Sequence, residues 1–385
     1  MVILRAKELS TIMKLTFKQD AILNGINIVL KAVPSKTTMS ILECIFIDAS
    51  GSEIKLTAND MELGIETKVE GTILERGKIA LEAKLLSEIV RKLSSAGDSM
   101  VTIESDEKFT TTISCENSIF HIQGRDGEEF SYLPYIERDH YICLSQFSLK
   151  EVIRQTIFSI APNDSNKMMT GELFQVTGNQ LKVVSLDGHR ISIRNIELKD
   201  TYRDIKVIVP GKTLNEISKI LGGDNEKEVL IFFSTNHILF EFDDTIVVSR
   251  LIEGDYFRID QMLSSDYETK VSVNKKELLD CLDRATILVR ENDKKPLIIN
   301  IEEQEMKLRM NSSFGSMNAE VPTHKTGSDI MIGFNPKFLI DALRIIDDEE
   351  VTLYMLNPKS PCFIRDEEGK YIYLILPVNF NAAAV

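Results

Sequence analysis

The 385-residue sequence predicts an α+β fold repeated three times, each copy carrying two helices packed on antiparallel sheets. Three observations carry this. A strand, a polar step and an amphipathic helix recur at Leu15–Val33, Ile142–Ala161 and Val271–Val289, with Ile22, Leu149 and Leu278 aligned at spacings of 127 and 129 residues. A second trio follows about 65 residues later in each unit: Lys78–Leu93, Val207–Leu221 and Met331–Ile346. Here Lys84, Lys212 and Lys337 align at spacings of 128 and 125. Between the helices the chain is rich in β-branched and alternating runs. A period this long makes each copy a domain rather than a solenoid repeat.

The elements follow in order. Residues 1–12 hold two basic residues and no sustained apolar core, and are expected to be a leader outside the fold. Met13 opens a strand that runs through Lys14-Leu15-Thr16-Phe17. Further strands are predicted at Ile54–Thr57, Leu181–Ser185, Val229–Phe233, Ile238–Phe242, Met306–Met310 and Tyr371–Leu376. Turn signals stand at Ala49–Ser52, Gly178-Asn179 and Asp187-Gly188. Boundaries near Tyr132–His140 and Ser264–Thr269 divide the chain into domains 13–136, 137–265 and 266–385.

The second helix of each copy carries a lysine, an acid four residues on and a base three further. These are Lys84, Glu88 and Arg91, then Lys212, Glu216 and Lys219, then Lys337, Asp341 and Arg344. At about 100° per residue such positions fall within about 60° of one another, so each helix shows one charged stripe. Leu85, Leu86, Ile89, Val90 and Leu93 are expected on the opposite core face of the first, with Leu214, Ile217, Ile220 and Leu221, then Phe338, Leu339, Ala342, Leu343 and Ile346, as counterparts. A single such stripe is ordinarily a solvated face; its recurrence favours a use.

Charge sharpens that reading. The chain carries a formal −14, which taken alone argues against binding nucleic acid. The six predicted helical windows hold fourteen bases, Lys150 and Arg154 among them, against eight acids. They net +6 and leave −20 elsewhere, so one basic surface meets a polyanion while the rest repels it.

Several classes are excluded. Five scattered cysteines (Cys44, Cys115, Cys143, Cys281 and Cys362) form no C-x-x-C pair and fit a reducing, cytoplasmic compartment. No apolar run approaches the roughly 20 residues of a membrane helix. Pro210-Gly211-Lys212-Thr213 ends like a phosphate-binding loop but lacks the first glycine, and no other catalytic motif is present. The five histidines are dispersed, and Asp347–Glu350 reads as a solvated acidic loop rather than a metal cluster. No catalytic residue, cofactor or metal is predicted.

The repeats, the Met13–Phe17 start, Leu186-Asp187-Gly188-His189-Arg190, Arg250-Leu251-Ile252-Glu253-Gly254-Asp255-Tyr256 and the ending Tyr373–Val378 together resemble the bacterial DNA polymerase III beta subunits, from Met13 to about Phe380. The resemblance implies a non-catalytic sliding clamp: a head-to-tail homodimer ring around duplex DNA, without sequence preference or membrane contact. Lys84, Arg91, Lys150, Arg154, Lys212, Lys219, Lys337 and Arg344 would then face the DNA, with Glu88, Glu216 and Asp341 keeping the contacts loose.

The resemblance also implies a groove for short peptides of the replicative polymerase, the clamp loader and repair proteins. It would be lined by Met169, Leu186, Gly188, His189, Arg190, Ile191, Phe257 and Met262. The last domain would add Asn335, Phe338, Cys362, Leu374, Ile375, Leu376, Pro377 and Val378. His189 is a polar rim residue on this reading, not a catalytic base. The loop after Gly254 departs from the family, with Phe257 for proline and Gln261 for a base. The tail Asn381–Val385 is expected across or beside the groove. Phe120 and Ile122 would meet Ile287 and Leu288 of the second copy; the alternative for each is a core position in its own domain. A three-domain interaction scaffold without DNA encirclement is the alternative.

Overall fold

The computed structural model describes residues 10–93, 99–264, 266–288 and 295–380. The chain opens with β1 (Thr11–Lys18), α1 (Gln19–Val29), β2 (Cys44–Asp48), β3 (Ile54–Asn59), β4 (Leu63–Val69), β5 (Thr72–Glu75), β6 (Lys78–Glu82) and α2 (Ala83–Lys92). It continues through β7 (Met100–Asp106), β8 (Thr110–Cys115), β9 (Ser118–Gln123), β10 (Arg125–Asp126), β11 (Tyr141–Ser145) and α3 (Gln146–Thr156). Next come β12 (Gly171–Leu186), β13 (Arg190–Pro210), α4 (Gly211–Ile220), β14 (Glu228–Phe233), β15 (His237–Phe242) and β16 (Thr245–Arg250). The last part holds β17 (Thr269–Asn274), α5 (Lys275–Thr286), β18 (Leu297–Glu302), β19 (Glu305–Ser312) and β20 (Gly315–Gly327). It ends on β21 (Ile330–Phe334), α6 (Pro336–Ile345), β22 (Glu350–Met355), β23 (Cys362–Arg365) and β24 (Tyr371–Ile375).

The chain forms two compact units, 1–147 with 219–251, and 148–218 with 252–385. The first holds two sheets, ordered β5-β1-β7-β8-β9 and β10-β6-β2-β3-β4-β16-β15-β14-β11. The second holds one, ordered β12-β13-β24-β23-β22-β17-β20-β19-β18-β21. All pairings are antiparallel, as an α+β plan requires. Each unit therefore contains one junction of the same kind: β4 beside β16 in the first, and Arg190–Arg194 of β13 beside β24 in the second.

At α2, α5 and α6 the residue before the helix is a side-chain cap. Glu82 accepts hydrogen bonds from the backbone N–H groups of Lys84 and Leu85 at 3.1 and 2.6 Å. Asn274 accepts from Glu277 N–H at 3.1 Å, and Asn335 from Lys337 N–H at 3.1 Å, with Pro336 opening α6. Each cap contributes about 1 kcal/mol and fixes where its helix starts. Behind the caps, Leu86, Ile89 and Val90 of α2 and Leu339, Ala342 and Leu343 of α6 are buried. Helix α1 lies so close to β4 that a Cβ on Gly25 would meet Val69 at 2.4 Å. Gln19 donates to Val90 O at 2.7 Å and ties α1 to the last turn of α2.

Several expectations change. Thr11 and Ile12 belong to β1, with Thr11 opposite Asp106, so the strand begins inside the expected leader; residues 1–9 lie outside the described residues. Gly178-Asn179 is an irregularity within the sixteen-residue β12 rather than a turn, with Gly178 at φ +60°. Leu85 is 42% exposed, because only one position separates it from the stripe that Lys84 begins. Lys18 and Lys31 fall outside α1, so the helices as formed hold twelve bases and eight acids. They net +4 and leave −18 elsewhere in the chain's −14.

Candidate DNA-facing helices and partner groove

The stripe on α2 is exposed at Lys84, Glu88 and Arg91, with Arg91 Nη2 donating to Ser87 Oγ at 3.1 Å. Lys212 and Lys219 are exposed on α4 and Glu216 is half-buried. On α6 the pattern divides. Lys337 is exposed and Arg344 bonds Asp283 of α5 at 3.0 Å, but Asp341 is bound to Arg190 at 2.7 Å. The third acid is therefore structural and does not loosen contacts along the stripe.

Arg154 also differs from expectation. Its guanidinium meets Glu151 at 2.5 Å and Asp347 at 3.2 Å, and donates to Ile345 O, the last carbonyl of α6, at 3.2 Å. A cation at a helix C-terminus completes the orphan carbonyls and opposes the dipole. The first cause of its raised pKa is the Glu151 hydrogen bond. Lys150 is half-buried on the same helix.

The groove residues gather in the second unit around a turn the sequence makes explicit. Asp187 Oδ1 accepts from the N–H groups of His189 and Arg190 at 2.9 and 3.1 Å, and Gly188 takes φ +83°, where a Cβ would be strained. This turn delivers Arg190, 8% exposed, into the junction. Its Nε donates to Asp187 Oδ2 at 3.0 Å, Nη1 to Asp341 Oδ2 at 2.7 Å and Nη2 to Phe158 O at 2.5 Å. Its plane lies 4.7 Å from the Phe338 ring and 5.3 Å from Phe158. His189 stands on the rim, 5.8 Å from Phe338, and its carbonyl accepts from Leu376 N–H at 2.9 Å.

The expected floor belongs to a buried apolar cluster of Leu173, Leu186, Ile191, Tyr256, Ile259, Tyr354, Phe363 and Leu374, with Met169 and Phe257 partly buried against it. Leu376 and Met262 are exposed, and Pro377 and Val378 are half-buried. Phe257, where the family has proline, adds its ring to this wall and packs edge-on to Tyr256 at 5.6 Å. Gln261 is exposed.

Three of the expected lining residues face elsewhere. Cys362 and Ile375 are packed in the core of the last repeat, 0% and 1% exposed, and burial pushes the Cys362 thiol up to about 12. They are register partners, and strand alternation turns both away from the floor on which Leu374 lies. Asn335 spends its side chain on the cap of α6. Val378 N–H bonds Gly333 O at 2.8 Å, and residues 381–385 lie outside the described residues.

Beneath the groove, and missed by sequence reading, is Glu172, fully buried on β12. Thr156 Oγ1 donates to its Oε2 at 3.1 Å, while Oε1 has no partner. Burial holds the carboxyl well above the usual range. A raised folded pKa means stability is complete below the unfolded pKa, about 4.3, and falls as pH climbs to the folded value, by about 1.4 kcal/mol per unit. Glu172→Gln should flatten that slope and raise the unfolding midpoint near neutrality. Denaturation of both chains between about pH 5 and pH 8 checks this, and an unchanged slope would reject it.

For the ring contact, Phe120 is 40% and Ile287 80% exposed, Ile122 is half-buried, and Leu288 packs partly on the last repeat's core. Ile119, 63% exposed beside Phe120 on edge strand β9, was not anticipated. No group of three His, Cys, Asp or Glu side chains among the described residues could hold a metal. No helix among them is long and apolar enough to cross a membrane.

Comparison with known proteins agrees with this geometry. Family profiles for the N-terminal, central and C-terminal domains of the DNA polymerase III beta subunit match residues 13–134, 143–257 and 260–379. The beta sliding clamp of Staphylococcus aureus is 32% identical over 377 residues, covering 95% of this chain and 99% of that protein. A candidate DNA polymerase III beta subunit of Eubacterium rectale is 66% identical, with a TM-score of 0.93 over 96% of this chain and 100% of that one. The DNA polymerase sliding clamp of Bacillus subtilis is 32% identical, with a TM-score of 0.92 at the same coverage. The three matched domains define a sliding clamp, the non-catalytic processivity subunit of a polymerase holoenzyme. The chain belongs to the DNA polymerase III beta subunit family.

Proposed function

We propose that two copies close head to tail into a ring around duplex DNA. The basic stripes line the hole, and the groove at the β13–β24 junction takes short peptides of the replicative polymerase, the clamp loader and repair proteins. One observation carries the ring. The chain makes the same junction twice, β4 with β16 and the start of β13 with β24, at the repeat spacing. The third member of each set is left over: β9 is an edge strand, and residues 315–322 of β20 bond only to β19 among the described residues. A contact of two different surfaces must close into a ring or run on as a filament, and the family relation favours closure after two copies.

The groove fits peptides through a few apolar anchors on the Leu186–Ile191–Leu374 floor, framed by the His189–Phe338 rim. The helices fit DNA through weak phosphate contacts that carry no sequence information, so the ring slides. The test is solution mass together with retention on nicked circular against linear DNA. A dimer held on circles and lost from free ends is expected; a monomer released equally from both would leave only an interaction scaffold. Within that assay, reversing Lys84, Lys212 and Lys337 to glutamate should shorten retention. If each lysine meets one phosphate, the slope of log binding against log salt should fall by about 2.7. An unchanged slope would remove these lysines from the DNA-facing surface.

A further inference from the structure

The middle repeat buries an acid where the other two bury hydrocarbon. Three residues before the aligned Lys84, Lys212 and Lys337 stand Leu81, Val209 and Phe334, whose ladder partners are Ile45, Glu172 and Leu297. All three partners are 0% exposed. Thr156, which meets Glu172, stands seven residues after Leu149, where the other repeats have Val29 and Ala285, also buried. Two copies of the domain thus fold with apolar side chains at both positions. A buried carboxyl with one unpaired oxygen only costs stability there, so its presence points to a use.

Counting hydrogens shows what that use requires. Thr156 Oγ1 lies 2.7 Å from Val152 O and 3.1 Å from Glu172 Oε2, and has one hydrogen to give. Donation to Glu172 is the arrangement of the ionised acid, and it takes the hydroxyl away from Val152 O in the last turn of α3. In the neutral acid the carboxyl O–H donates to Thr156 Oγ1, the threonine hydrogen goes to Val152 O, and both contacts are hydrogen bonds. Burial favours the neutral form.

The end of α3 leads directly to the groove rim. Ser185 Oγ donates to Thr156 O at 2.6 Å, and Ser159 Oγ lies 2.5 Å from Ser192 Oγ. Ser185 and Ser192 are register partners in the β12–β13 hairpin whose tip is the Asp187–Arg190 turn. Between these two struts Phe158 O accepts from Arg190 Nη2 at 2.5 Å, with the Phe158 ring 5.3 Å from the guanidinium.

No cation compensates the acid, whose carboxyl answers to burial and to Thr156. The charged residues of α3, Lys150, Glu151 and Arg154, are partly exposed, and Arg154 is engaged by Glu151 and Asp347. On β13 the facing residue is Val209, and Arg190 is engaged by Asp187 and Asp341. After β16 stands Tyr256 of the groove cluster, its hydroxyl on Val184 O at 3.2 Å and its titration raised first by burial and then by the Glu172 charge.

We propose that Glu172 is a proton-operated latch on the partner groove: the neutral acid holds the end of α3 and the turn that seats Arg190, and ionisation releases them. The latch is closed at low pH and opens as pH rises through the folded pKa of the acid. A peptide that needs the seated rim then favours the neutral form and draws a proton in. That consequence rests on the groove reading proposed above; the latch does not.

The test is hydrogen–deuterium exchange of the full chain from about pH 6 to about pH 9, corrected for the intrinsic rate, with Glu172→Gln and Glu172→Ile alongside. Protection of residues 153–160 and 186–192 should fall at least tenfold across that range in the unaltered chain and stay level in both variants. Histidines titrate in all three chains, so the difference between chains carries the result. A protonated-carboxyl infrared band should vanish over the same range and be missing from Glu172→Gln. A level profile in the unaltered chain overturns the proposal without any variant having to fold. So does an equal fall in the variants, a fall confined to 153–160, or a carboxyl band that outlasts the loss of protection. Failure to bind partner peptides at any pH would instead remove the groove reading and leave the exchange results to decide the latch.

Discussion

Arg190→Leu lowers the unfolding free energy by about 3–5 kcal/mol, the cost of breaking a buried ion pair from one side. The arginine is 8% exposed and bridges Asp187, Asp341 and the Phe158 carbonyl, while its plane covers Phe338. Leucine keeps apolar volume between the two phenylalanines but leaves two carboxylates facing a buried gap. Asp341 is 22% and Asp187 14% exposed, so each recovers only part of its hydration. Asp341→Leu alone should cost less, since Arg190 retains Asp187 and Phe158 O. The double change Arg190→Leu with Asp341→Leu should cost less than the sum of the two singles, because no Asp341 carboxylate is left unpaired. Chemical denaturation of the four chains gives the coupling. A loss below about 1 kcal/mol for Arg190→Leu would show that the pair is solvated and does not hold the junction.

The turn that positions this arginine was legible in the sequence, and its function was not. Asp187-Gly188 announces a tight turn, and the Asp187 hydrogen bonds are the ones such a sequence makes. The partner that makes Arg190 structural is Asp341, 151 residues away on a helix whose stripe looked uniform across the three copies. Repetition revealed the architecture and concealed this difference, because the repeat aligns residue types and says nothing of their neighbours. The partners of Arg154 were hidden for the same reason: Glu151 was visible on its helix, but the Ile345 carbonyl and Asp347 come from elsewhere in the chain. The caps were readable as a polar step because capping is local chemistry. Parity along β24 was not. Tyr371–Leu376 is apolar on both faces, and a strand buried on both sides gives no alternation to separate Leu374 on the groove floor from Ile375 in the core. Glu172 left no local signal either, as a lone acid in an apolar run is indistinguishable from an edge residue until its burial is known.

Cysteines at His121 and Ser316 should join two copies covalently, because in the proposed ring the two junctions within the chain predict the register of the third. Each repeat has a hairpin pairing two residues five apart: Asn59 with Gly64, Leu186 with Ile191, and Asn311 with Ser316. Across the junctions Gly64 lies opposite Val248 and Ile191 opposite Leu374. The hairpins Cys115↔Ser118 and Phe242↔Thr245 make His121 the counterpart of Val248. In the proposed ring, Ser316 of one copy would therefore fall opposite His121 of the other, and Met317 opposite Phe120. Directly opposed residues in an antiparallel pair have Cα atoms about 4.5 or 5.5 Å apart, and both spacings permit a disulfide. Oxidation of the doubly substituted chain should give a covalent dimer that stays on nicked circular DNA through a high-salt wash. Moving one cysteine to Ile122 puts it on the other face of the strand and should abolish the link, since a shift of one residue reverses every side chain. Phe120→Asp supplies the converse. It removes an anchor worth about 1.5–3 kcal/mol from each of two interfaces and inserts a charge, so the ring should dissociate at least a hundredfold more readily. Equal cross-linking from position 122, or a Phe120→Asp chain that stays dimeric at low concentration, would place the contact between copies somewhere other than β9 and β20.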